Sequence, residues 1–410
     1  MTPATLPQPF HRSNIDPVGY SELEGRPAFK MAIREVRGRW YLYTGHFWHS
    51  GWSVVDVTDP AAPQVRTFVP GPKNTATLQV DLAGDTMVTS LENILPGFGG
   101  DPDAPFDEGV LIWDISDPMN PRRRGHFCTG GKGTHRNLYA GGRYVHLAAG
   151  MAGYDGNIYV IVDIGDPTHP IEAGRWWVPG QHTAAGEKPA EPYISLHGPP
   201  YVVGSQAYLP YGSAGLIVLD ISDISQPRQI RSLRFSPPFH AQFGVHGVFP
   251  DVKRGIAYLN SEDVSYGKGP LHHASIVDIS DPSKPWLLSL FPHPVPPPDV
   301  PYRDFFTAGG WSGPHNMNHL QHNPDVEQQG DLFYLTYFNA GLRIYDVANP
   351  RQPLEVGYFL PPDPRQRYGP MPEGPLAVQS EDVLVDRRGF IYITGKNQGL
   401  WVLRFISSSN

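Results

Sequence analysis

Apolar residues in this chain come in short bursts rather than in helical stripes. Each burst is too short for a helix, is rich in Val, Ile and Leu, and ends at an acid or a proline-bearing turn. The bursts share one line: SVVDVTDPAAP (53–63), LIWDISDPMNP (111–121), YVIVDIGDPTHP (159–170), LIVLDISDISQP (216–227), ASIVDISDPSKP (274–285) and LRIYDVANPRQP (342–353). A seventh, degenerate copy is LWVLRF (400–405). Aligned on the residue after the apolar run, the copies place Asp56, Asp114, Asp163, Asp220, Asp278, Asp346 and Arg404 at steps of 49 to 68 residues. Repetition at that spacing signals one supersecondary unit per copy.

Each unit carries further apolar segments around its marker. Upstream lie YLYTG (41–45), YVHLAA (144–149), IAYLN (256–260) or IYITG (391–395), and before these VHGVFP (245–250) or EDVLVD (381–386), tied on by turns such as DVKRG and DRRG. Downstream comes a fourth, such as PLEVGYFL (353–360). Four short strands joined by tight turns make an antiparallel blade, and seven of them predict an all-β, seven-bladed β-propeller. The last unit lacks an outermost strand, whereas PVGYSEL (17–23) reads as one without a blade before it. The N-terminal strand is therefore expected to complete the last blade, which removes two exposed sheet edges. Residues 1–16 are then an N-terminal tail and 17–406 the propeller.

The repeated (L/I)xIVDxSDPxxP line resembles that of the LVIVD-repeat β-propeller family, over about residues 17–405. That resemblance implies the fold and no single activity. A more distant likeness is to the selenium-binding protein and methanethiol oxidase propellers, whose histidines are thought to hold a metal; their motifs do not match here residue by residue.

Composition narrows the class. The 44 Gly and 45 Pro of 410 residues argue against long helices. A net charge of −8 makes nucleic acid and anionic membrane improbable partners, and no 18-residue apolar stretch suggests a membrane span. Cys128 is the lone cysteine, so no internal disulfide forms, and a cytoplasmic location is the expectation. A P-loop, a dinucleotide fingerprint and HExxH are all absent from the sequence.

Long loops gather on one face, where each inner strand begins: 91–109, 150–157, 178–195, 261–273, 293–314 and 361–380. Such loops on a rigid scaffold commonly carry function. At the start of the inner strand in successive units stand His135, His197, His246 and His315, with Glu381 at the same place in the last unit. Equivalent positions converge on the propeller axis, so four imidazoles would hold a divalent metal (Zn, Fe, Mn or Cu) with an open coordination position. Repeat ancestry with mutual hydrogen bonding is the competing explanation. His319 competes with His315 for the inner-strand place, since HNMNHLQH permits a four-residue shift.

Further candidates fall on the same face: His46, His49, Glu92, Tyr211, Glu262, Asp263, Asn339 and Lys396. Glu381, Glu262, Tyr211 and His46 are taken as catalytic, with Glu262 singled out as a base because its unit also carries His246. His240 is a possible extra ligand, and His272 and His273 read as the start of a strand. Phe47, Trp48, Phe239, Phe243, Tyr302, Phe305, Phe306 and Trp311 crowd the loops and would make a partly apolar pocket. The leading expectation is a metal-dependent enzyme acting on a small, partly apolar or aromatic organic substrate, as an oxygenase, hydrolase, lyase or isomerase. The rivals are metal-free His/Glu acid–base catalysis and a non-catalytic scaffold for protein binding.

Overall fold

The computed structural model describes residues 6–235, 243–266, 268 and 272–406. Among these the chain is strand and turn, with helix limited to four single 3-10 turns at Leu23–Gly25, Pro96–Phe98, Thr183–Ala185 and Gly212–Ala214. No helix is long and apolar enough to cross a membrane.

The first repeat shows how sequence becomes sheet. Ala28–Val36, Arg39–His46, Gly51–Asp56 and Gln64–Pro70 pair antiparallel in that order. The Val-rich third strand is buried along its whole length, whereas the fourth is half exposed. Arg37 and Gly38, both at positive φ, make the tight turn between the first two strands. The two acids of the repeated line each fold the chain into an Asx turn: Asp56 Oδ1 accepts the Thr58 N–H at 3.1 Å, and Asp59 Oδ1 that of Ala61 at 3.0 Å. The same pair of bonds recurs at Asp114 and Asp117, Asp220 and Asp223, and Asp278 and Asp281.

Further four-stranded antiparallel sheets form from Tyr201 to Leu233 and from Phe243 to Leu290. A sheet from Pro314 to Leu360 gains His11–Ser13 on its edge, so the segment read as an N-terminal tail contributes a strand. Ile15–Ser21 pairs with Gln398–Phe405 and supplies the outer strand that the last unit lacks. Between residues 75 and 176 the strands form one nine-stranded sheet, because Glu92 pairs with Gly133 across what would otherwise be two separate sheets.

Neighbouring sheets nest by one device. A Cβ on Gly125 or Gly174, in outer strands, would fall 1.9 Å from Pro167 O or 2.0 Å from Ile224 O in the Asp turn of the next unit. Gly19, in the N-terminal strand, meets Pro60 O of the first unit in the same way, at 2.3 Å. The first and last units are thereby in contact, and apolar clusters fill the space between sheets.

Candidate active site

The inner strands begin irregularly, and that irregularity builds the site. In Gly133–Leu138 the pairing register shifts between Thr134 and Arg136, so His135 is an extra residue. His135 and Arg136 then both line one cavity, which strict strand alternation forbids. Register also shifts between Ala28 and Met31, Phe243 and Gly247, Pro314 and Met317, and Ser380 and Val383. These shifts flank Phe29, His246, His315 and Glu381.

The cavity measures about 340 Å³. Phe29, Phe47, Phe98, Phe243, Tyr266 and Trp311 give it apolar walls, while Glu92, His135, Arg136, His197, Glu262, His315, Glu381 and Lys396 supply polar groups. Small-molecule sites commonly have this composition.

Glu262 is the hub. Its Oε2 lies 3.0 Å from His197 Nε2 and 3.7 Å from His246 Nε2, and its Oε1 lies 3.7 Å from His315 Nε2. Oε2 is buried and makes no well-directed hydrogen bond despite the short approach to His197. Burial alone would raise the Glu262 pKa; the facing His246, His197 and His315 outweigh it and hold the carboxyl well below its usual range. Burial keeps His197 low, at about 4, and pushes His246 and His315 well below the ordinary imidazole value.

The remaining histidine has its own acid. His135 Nδ1 lies 3.0 Å from both carboxylate oxygens of Glu92, and its Nε2 is buried without a partner. The rings of His135 and His197 are 4.3 Å apart between centroids, and His197 stacks on Phe243 at 3.7 Å. His315 donates from Nδ1 to the Glu381 carbonyl at 2.7 Å, leaving Nε2 as acceptor. Arg136 Nη2 donates to His246 Nε2 at 3.2 Å and comes within 3.5 Å of His315 Nε2.

Glu381 is fully buried and ion-paired through Oε1 with Lys396 Nζ, which itself lies 4.1 Å from the Trp311 ring centre. Its Oε2 makes no well-directed hydrogen bond, although His315 Nδ1 lies 3.3 Å away. Burial raises the Glu381 pKa to about 7 against the opposing pull of Lys396.

The predicted residues thus divide. His135, His197, His315, Glu262 and Glu381 line the cavity, and fully buried His246 stands behind its wall. The four histidines expected as one donor set are all at or beside the cavity, but their donor atoms are not equally close. Among the described residues, the group whose donor atoms all lie within 4.8 Å of one another is His197, His246 and Glu262. His315 rather than His319 reaches the cavity; His319 lies two residues past the end of strand Pro314–Met317 with its Nδ1 3.0 Å from Met317 O. His46 and Tyr211, expected to be catalytic, do not line it. The His46 ring is engaged by Ser53 Oγ and the Arg26 carbonyl, and the Tyr211 hydroxyl donates to Gln181 at 2.6 Å. His240 and Phe239 lie outside the described residues. Arg136 was not anticipated: it follows His135 directly, and alternation would have sent it to the other face.

A model of the LVIVD repeat matches residues 135–177, 201–233, 275–291 and 323–360. No curated protein matches. Among solved structures, the β-propeller domain of Cps50 (Swd1) from Myceliophteria thermophila is similar at 12% identity, covering 97% of this chain and 100% of that one, with a TM-score of 0.56. The periplasmic gluconolactonase PpgL of Pseudomonas aeruginosa is similar at 13% identity, 90% and 99% coverage and a TM-score of 0.57. A Lactobacillus plantarum protein follows at 12% identity, 90% and 88% coverage and 0.55. Likeness at these identities speaks for the fold, and the more distant resemblance to selenium-binding proteins is not shown.

Proposed function

We propose that this β-propeller, built on LVIVD repeats, is a hydrolase that opens a small ester or lactone with an apolar body, assisted by a divalent metal. We read its blades as seven, in one domain that runs to residue 406 and takes in the strands His11–Ser13 and Ile15–Ser21, in a cytoplasmic protein. One observation carries the functional reading: several buried acid and imidazole groups, some with unsatisfied atoms, converge on one apolar-walled cavity. Polar groups left unsatisfied in a low-dielectric site are costly and persist where a ligand or reaction uses them.

His197, His246 and Glu262 would hold the metal, and their two imidazoles and one carboxylate suit zinc, iron or manganese. A metal bound there would polarise a carbonyl oxygen and favour ionisation of water. The chain's own groups do the rest. Glu92 fixes His135 with Nδ1–H toward the carboxylate, so Nε2 is the acceptor for the proton of the attacking water. The water oxygen bonds to the carbonyl carbon, the acyl C–O bond breaks, and the leaving oxygen takes a proton from Glu381. Glu381 is suited to that task because burial holds its pKa near neutrality. The gluconolactonase neighbour is consistent with hydrolysis, although its 13% identity lends support to the fold alone.

A second reading has a specific basis. Arg136 already donates to His246 Nε2, which occupies a lone pair that a metal could use. Without metal, Glu262 beside His197 would itself serve as the base. The deciding experiment is elemental analysis of untagged protein beside hydrolysis of a panel of aryl esters and lactones, before and after chelation. Turnover lost with the metal and restored by it supports the first reading, and turnover indifferent to chelation supports the second. A chain that binds no metal and opens none of these substrates would refute both and leave a protein-binding scaffold.

A further inference from the structure

Among the described residues, one buried cation of the cavity forms no ion pair. Lys30 is paired with Asp382 at 2.9 Å and Lys396 with Glu381, but Arg136 makes no ion pair within 4.0 Å among the described residues. It is only 3% exposed. Its hydrogen bonds from Nη2 go to two imidazole nitrogens, and its Nε is buried without a partner. A desolvated guanidinium without a carboxylate is strongly unfavourable, and its planar fork is shaped to take one in bidentate fashion.

The surroundings define what else the partner must be. Phe29 lies 5.0 Å from the guanidinium carbon, and Phe47, Phe98, Phe243 and Trp311 complete apolar walls around a space of about 340 Å³. Glu92, Glu262 and Glu381 also line the cavity, but none comes within 4.0 Å of the guanidinium. The unpaired guanidinium stands independently of the hydrolase reading above, and only the fate of the bound molecule rests on that reading.

We propose that the substrate is a small organic carboxylate, its acid group gripped by the Arg136 guanidinium, and its aromatic or aliphatic body against Phe29, Phe47 and Trp311. The bond to be hydrolysed then lies on the same molecule, within reach of His135 and Glu381.

The test compares phenylacetate with its uncharged isostere phenylacetamide by titration calorimetry on the wild type, Arg136→Met and Arg136→Lys, each with metal and after chelation. The wild type is expected to bind the acid about ten-fold or more tighter than the amide, with or without metal. Arg136→Met should lose that preference while still binding the amide, and Arg136→Lys should keep a reduced preference. If Arg136→Met does not fold, the lysine variant and the wild-type pair decide. Equal binding of acid and amide by the wild type overturns the proposal. So does a preference that survives in Arg136→Met or vanishes with the metal, since the acid would then sit on the metal. A preserved acid preference in a protein that hydrolyses no ester refutes the hydrolase reading and leaves this one standing.

Discussion

Glu92 holds His135 from the far side of a sheet boundary: both its carboxylate oxygens lie 3.0 Å from Nδ1, brought there by the backbone pairing of Glu92 with Gly133. The acid thereby sets the tautomer and leaves Nε2 as the acceptor in the cavity. Glu92→Gln keeps the shape but permits the ring to invert. Its kcat should fall about 10- to 100-fold with little change in KM or melting temperature. Unchanged kcat on an ester that the wild type hydrolyses would remove His135 from the mechanism.

Metal content should track the donor set. On the metal-assisted reading the wild type should carry roughly one transition metal per chain, and His197→Ala, His246→Ala and Glu262→Gln should each lose most of it. Tyr211→Phe, by contrast, should retain the metal and lose only about 1 kcal/mol of stability from its bond to Gln181. Elemental mass spectrometry on all four distinguishes a built site from adventitious histidine binding.

Lys396 and Glu381 are both almost wholly buried, so removing one strands the other. Lys396→Met should destabilise the fold by about 3–5 kcal/mol, and adding Glu381→Gln should recover a large part of that. Urea denaturation of the singles and the double measures the coupling. Additive losses would mean that the pair contributes no interaction.

His322 Nε2 lies 3.3 Å from Asp81 Oδ1. Burial draws the imidazole pKa down, but Asp81 outweighs it and the net shift is upward. The folded state therefore binds the proton more tightly than the unfolded chain does. This contribution is fully present below the ordinary histidine value and is lost as pH rises through the raised one. Between about pH 6 and pH 8 the wild type should lose more stability than His322→Gln. Parallel curves would show that the pair is not linked to folding.

Ring closure has its own test. Any side chain at Gly19 collides with the Pro60 carbonyl, as one at Gly125 or Gly174 does with the next turn. Gly19→Val should cost about 1–3 kcal/mol or more. A variant as stable as wild type would show that the N-terminal strand does not seat against the first unit.

Much of the cavity was legible because repeats put equivalent residues at equivalent depths. His135, His197, His315 and Glu381 were found in this way, and Glu262 through the loop that follows a strand. Strand alternation misplaced Arg136, because the extra residue at His135 turns two successive side chains to one side. It also could not reveal that the His46 and Tyr211 side chains are engaged by Ser53 and Gln181, since the pattern predicts strands and loops but not which side chains meet across them.

The sequence by itself determined the strands, the Asp turns and the strand that completes the last sheet. Those features follow from local chemistry: period-two burial, Asx and proline geometry, and a missing edge that must be covered. Only the tertiary structure placed Glu262 Oε2 among the donor atoms of His197 and His246, and turned Arg136 to the cavity with no ion pair within 4.0 Å among the described residues. Both depend on ångström-scale distances between side chains from different sheets, and register shifts at the strand ends set these without altering the hydrophobic pattern.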